Sequence, residues 1–132
     1  MYIASQNPPG VIGAVNFSGG RTDLSGGMLG YLNRTMVNGF EEAGKTAHMP
    51  VLMIFAENDS RYSPNTIRSS YQAFVDAGGK ATLSLSPPIN VDGHFVYHLP
   101  AYWRDALRTY LEQIGIVPAK EKMATAKTAT GE

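Results

Sequence analysis

Two side chains in this chain are placed to move a proton: Asp59, in Ala56-Glu-Asn-Asp59-Ser, and His94, in Asp92-Gly-His94. An aspartate held against an imidazole N–H fixes the histidine tautomer. It also stabilises the imidazolium that forms when the histidine takes a proton from a nucleophile. Each residue has a plainer reading. Asp59 follows an apolar run and precedes a Ser-Pro helix start, where a carboxylate serves as a turn residue or lies near a helix N-terminus. A loop histidine such as His94 can simply satisfy a local carbonyl. Gly93, just before it, frees the backbone to aim the ring.

The rival groups are weaker. Glu57 and Asp92 are alternative carboxylates in the two loops, and His98 reads as a packing or capping residue near a helix start. His48 precedes the central strand, at its amino end, the edge opposite to Asp59. His94, His98 and Asp92 or Asp59 would be the donors of a metal site. His94 and His98 have i, i+4 spacing, but Pro100 argues against one helix through both, and no His-Glu-x-x-His motif occurs. Ser18-Gly19-Gly20 and Ser25-Gly26-Gly27 lack the spacing and the lysine of a phosphate loop. No metal or cofactor is expected.

The elements that must carry Asp59 and His94 follow from periodicity. Residues 51–56, Val-Leu-Met-Ile-Phe-Ala, are apolar on both faces, as in a central parallel strand. Residues 11–17, Val-Ile-Gly-Ala-Val-Asn-Phe, form a second apolar run, in which Gly13 would admit a close neighbour. Residues 81–86 alternate, which places that strand nearer a sheet edge. Helices are predicted at about 34–43, 64–77 and 100–114. Asn33 would cap the first, Met36, Val37 and Phe40 would face the sheet, and Gly44 would stop it. Ser63 and Pro64 open the second, with Ile67, Tyr71, Phe74 and Val75 on one stripe. Pro100 opens the third, with Trp103, Leu107, Tyr110, Leu111 and Ile114 in register, and Gly115 ends it. The stretch 21–33 reads as an irregular loop or a lid, and 87–99 as a loop. The N-terminus reads as the last turns of a helix broken by Pro8-Pro9-Gly10. The expected class is α/β, a three-layer αβα arrangement on about three parallel strands. In such sheets ligands sit beyond the carboxyl ends of the strands, where Asp59 and His94 both fall.

Composition limits the function classes. Of 132 residues, 43% are hydrophobic and 17% charged, which fits one globular domain over 1–116. Residues 117–132 have almost nothing apolar and are expected to be a disordered tail. Lysine plus arginine equals aspartate plus glutamate, 11 each, so charge does not point to nucleic acid or to an anionic membrane. No apolar run approaches the roughly 18 residues that span a bilayer. Cysteine is absent, which removes thiolate chemistry and disulfides.

The order of these elements and the wording of the loops resemble the C-terminal half of an α/β-hydrolase, similar to the dienelactone hydrolase family. The matching pieces are Gly10-Val-Ile-Gly-Ala-Val-Asn-Phe-Ser-Gly-Gly20, Pro50-Val-Leu-Met-Ile-Phe-Ala-Glu-Asn-Asp59-Ser, Phe74-Val-Asp-Ala-Gly-Gly-Lys80 and Asp92-Gly-His94. Together they cover most of residues 10–114. The resemblance implies that the three strands are the last three of the hydrolase sheet. It implies Asp59 as the acid and His94 as the base of a triad acting on a small ester or lactone, in the family's order of nucleophile, acid, histidine.

The departure lies in the nucleophile. The family's Gly-x-Ser-x-Gly elbow, or its cysteine counterpart, does not occur. Ser18 and Ser25 come nearest, in Asn16-Phe-Ser18-Gly-Gly20 and Asp23-Leu-Ser25-Gly-Gly27, but both lack the first glycine and read as loop serines. The expectation is therefore a partial hydrolase that lacks nucleophile and oxyanion hole and is inactive alone. The start of the chain inside a helix fits a fragment. Its 11–17 strand would leave an open edge, available for a homodimer. A non-catalytic α/β module that binds through that edge is the alternative. A self-sufficient hydrolase using Ser18 or Ser25 is the third.

Overall fold

The computed structural model describes residues 1–20 and 29–118, with the side chains of 29–33 left out. After a short helix α1 (Tyr2–Ser5), the chain runs β1 (Ala14–Phe17), α2 (Leu29–Thr46), β2 (Val51–Ala56), α3 (Pro64–Asp76) and β3 (Ala81–Ser86). Two 3₁₀ turns, Gly93–His98 and Pro100–Tyr102, lead into α4 (Arg104–Gln113). The three strands form one parallel sheet in the order β1-β2-β3. Ala14 pairs with Val51 and Val51 with Ala81, so the three strands start level.

The central strand explains the layers. All six residues of β2 are buried, and alternate side chains enter opposite cores, as the strand's period of two requires. Val51, Met53 and Phe55 pack with Ala4 of α1, Met36, Phe40 and Ala43 of α2, and Ile67 and Phe74 of α3. Leu52, Ile54 and Ala56 pack on the other face with Ile89, Val96 and Tyr110. Burying each such leucine or isoleucine contributes about 2 kcal/mol, so β2 anchors both cores. The fold is α/β on an open, all-parallel sheet, as the run patterns indicated.

Several boundaries differ from the sequence reading. The strand expected over 11–17 begins at Ala14, because Val11 and Ile12 have no partner strand and stay exposed. The first long helix starts at Leu29, so Asn33 lies inside it and residues 29–33 are not loop. Gly44 does not stop that helix, which continues to Thr46. The Gly44 position is pressed against the Phe74 carbonyl of α3, and the absent side chain is what lets α2 and α3 meet. The loop expected over 87–99 contains the 3₁₀ turn Gly93–His98. The helix expected from Pro100 is interrupted at Trp103, whose φ of −135° is not helical. Its ring instead packs edge-on against Phe17, with centroids 5.0 Å apart. The possible lid at 21–28, Ser25, and the tail from 119 lie outside the described residues.

One side chain ties the amino ends of β1 and β2 together. The Tyr110 hydroxyl of α4 donates to the Pro50 carbonyl at 2.7 Å and accepts from the Ala14 N–H at 2.9 Å. Gly13 makes room for it, since a Cβ there would collide with that hydroxyl.

Candidate active site

The carboxyl end of β2 turns sharply before α3 begins. Ser63 caps α3, its Oγ accepting from the Thr66 N–H at 3.2 Å, and Pro64 takes the first turn. The intervening residues 57–62 must therefore reverse within a few bonds, and Asp59 makes that possible. Its Oδ1 accepts the N–H groups of Arg61 at 2.8 Å and Tyr62 at 3.2 Å. Its Oδ2 lies 3.2 Å from His94 Nδ1. The two sequence readings of Asp59 are thus both present in one carboxylate: one oxygen closes the turn and the other meets the histidine.

The Asp59 side chain is fully buried, whereas His94 keeps 18% of its side-chain surface exposed. A carboxylate can only accept, so His94 must carry its proton on Nδ1. In the neutral ring this leaves Nε2 with its lone pair, and among the described residues Nε2 has no hydrogen-bond partner. The ring sits between Tyr62, at 6.1 Å between centroids, and Phe95, at 5.7 Å. Burial first, and then the charge of Asp59, push the Tyr62 phenol above its ordinary value. The arrangement is a histidine whose outer nitrogen faces no partner among the described residues and whose inner nitrogen is held by a buried carboxyl group.

The histidine loop is capped in its own way. Asp92 Oδ1 accepts the His94 N–H at 2.9 Å and the Ser60 N–H at 3.0 Å, and its Oδ2 accepts the Ser60 hydroxyl at 2.6 Å. These donors, the Ser60 hydroxyl foremost, hold the Asp92 carboxyl down at about 2. Asp92 is thus a cap that links the two loops and not a rival acid for the ring. Glu57 forms an exposed ion pair with Arg68 of α3 at 3.0 Å. His98 is exposed and its ring lies tilted against that of Tyr97, with centroids 4.1 Å apart. His48 lies at the amino end of β2, where its N–H donates to Asn7 Oδ1 at 2.8 Å. Among the described residues no group of three or more His, Cys, Asp or Glu is placed to hold a metal ion. No helix among them is long and apolar enough to cross a membrane.

Ser18 follows β1 directly, beside this site. It is buried, its φ is +46°, and its Oγ reaches the Gly93 carbonyl at 3.5 Å. No hydrogen bond joins it to the His94 ring. A cavity of about 970 Å³ lies elsewhere, between α1, α2 and Gly19–Gly20, and neither Asp59 nor His94 lines it.

Sequence reasoning missed Asn58. Its side chain bonds to Ile89 and Val91 in the histidine loop. The only sequence signal was an amide residue next to the aspartate. The role of Gly93 is also different from that expected: a Cβ there would stand 2.6 Å from the Asp59 nitrogen, so it permits two backbones to touch. Compared with family models, with curated proteins and with solved structures, the chain finds no match.

Proposed function

We propose that this chain supplies the acid and the base of a hydrolase triad that cleaves a carboxylic ester or lactone, in the manner of the α/β-hydrolases its loops resemble. Asp59 is the acid and His94 the base. The observation that carries the reading is the 3.2 Å contact between a fully buried Asp59 oxygen and His94 Nδ1, at the carboxyl edge of a parallel sheet. In this mechanism Nε2 takes the proton of a nucleophile as it attacks the ester carbonyl. Asp59 stabilises the imidazolium, and His94 then returns the proton to the leaving alkoxide. The nucleophile and the oxyanion donors come from outside the described residues of this chain, since no Gly-x-Ser-x-Gly is present.

The test is the coding DNA upstream of the Met1 codon, together with labelling of the purified chain. An in-frame Gly-x-Ser-x-Gly or its cysteine counterpart is expected upstream. No labelling by a serine-directed phosphonate is expected on the 132-residue chain. Labelling at Ser18 or Ser25 would replace this reading with a self-sufficient enzyme.

A second reading has its own support. Among the described residues no strand pairs with the outer edge of β1, and Val11, Ile12 and Val15 beside it are 43%, 56% and 37% exposed. An unpaired edge flanked by apolar side chains is a template for another strand. On this reading the chain is an α/β module that associates through β1, with a second copy of itself as the simplest partner.

A further inference from the structure

We propose that Asn58 is the positioning residue of the Asp59–His94 pair, holding the histidine loop in register with the acid turn so that the two side chains meet. The inference rests on the acid–base reading of that pair.

Asp59 and His94 lie on loops that follow different strands, and nothing internal to either loop fixes its distance from the other. Asn58 is bonded covalently to Asp59 and non-covalently to the other loop. Its Oδ1 accepts the Ile89 N–H at 3.0 Å, and its Nδ2 donates to the Ile89 carbonyl at 2.9 Å and the Val91 carbonyl at 2.8 Å. Both amide hydrogens are thereby used. Its own carbonyl accepts the Gly93 N–H at 3.1 Å. The contacts fall on residues 89, 91 and 93, alternate positions that lead up to His94 like the rungs of a strand ladder. At the last rung the backbones are so close that a Gly93 Cβ would stand 2.8 Å from the Asn58 carbonyl carbon. Aspartate, the nearest isostere, offers acceptors only and would face two carbonyls. The Asp92–Ser60 contact also joins the loops, but through different atoms, so each link can be cut without the other.

The experiment is nitrogen-edited NMR of the His94 ring in the wild-type chain, in Asn58→Ala and in Ser60→Ala, at a pH where the ring is neutral. Wild type is expected to show a single tautomer with its proton on Nδ1 and slow exchange of that proton with water. Asn58→Ala should speed this exchange by at least about tenfold, the consequence of losing three side-chain hydrogen bonds, and should mix the tautomers. Ser60→Ala should leave the ring signal in place. An unchanged His94 ring in folded Asn58→Ala, or an equal change in both variants, would overturn the proposal. If Asn58→Ala does not fold, hydrogen exchange on the wild-type chain decides. The Ile89 and Gly93 amides and the His94 Nδ1 proton should open together, and separate openings would overturn it. None of these readouts involves ester cleavage. A ring that loosens in Asn58→Ala, in a protein shown not to be part of an esterase, leaves the positioning role and removes the hydrolase reading. A wild-type ring without a proton on Nδ1 removes both.

Discussion

Two aspartates share the junction between the loops, and replacing each has a different expected outcome. Asp59→Ala leaves the N–H groups of Arg61 and Tyr62 and the His94 ring without their acceptor. Lost hydrogen bonds to a buried charged group cost about 2 kcal/mol, so urea unfolding should show a stability drop of that order with an unchanged m-value. Asp92 is readable through pH. Its carboxyl is lowered from 3.8 to about 2 by the Ser60 hydroxyl and by the N–H groups of His94 and Ser60. The folded state therefore binds this proton less readily than the unfolded chain. The stabilisation is fully present above the unfolded value and is lost as pH falls from about 4 towards 2. In that window the urea midpoint of wild type should fall more steeply than that of Asp92→Asn, and equal slopes would deny the cap this role. At this scale the meeting of Asp59 and His94 was legible because both follow strand ends that announce themselves in sequence. The contacts of Asn58, and the use of Asp92 as a cap and not as a carboxylate for the ring, were not, because their partners depend on which loop comes to lie opposite.

The helices and strands were legible where periodicity and caps agree. The run of β2 and the Ser63-Pro64 start of α3 need no tertiary information. The end of α2 and the break at Trp103 do, since both are set by what packs against them. Glycine shows the difference. Gly44→Ala would drive a methyl into the Phe74 carbonyl of α3, a backbone atom that cannot rotate away. Crowding of this kind costs about 1–3 kcal/mol, partly offset by the gain in helix propensity of up to about 1 kcal/mol. Gly39, five residues earlier in α2, has nothing within 4 Å of an added Cβ. Gly39→Ala should therefore stabilise the protein by up to about 1 kcal/mol. Thermal unfolding of the two variants should shift in opposite directions, and a Gly44→Ala protein as stable as wild type would mean that α2 and α3 can separate freely.

At the scale of the whole molecule the open edge of β1 dominates. Val15 pairs with Leu52, so it lies on the α4 side of the sheet, yet it is 37% exposed because none of the described elements covers it. A lysine on a strand edge opposes pairing with another chain. Multi-angle light scattering should give wild-type protein a mass above the 14.3 kDa of one chain, and Val15→Lys should return it to the monomer. A wild-type monomer at all concentrations would remove the association reading.

The bridge made by Tyr110 has a consequence for how the protein is made. It joins residues 60 and 96 positions away along the chain, among the longest-range contacts in the molecule. During synthesis β1 and β2 both emerge before this tyrosine exists, and until α4 leaves the ribosome their amino ends have the backbone bond from the Ala14 N–H to the Pro50 carbonyl but not the hydroxyl bridge. Contacts of such sequence separation slow folding and prolong the exposure of unpaired strands. A nascent chain stalled before residue 110 should thus hold β1 against β2 less tightly than the released protein, because the hydroxyl that bridges them is not yet in place.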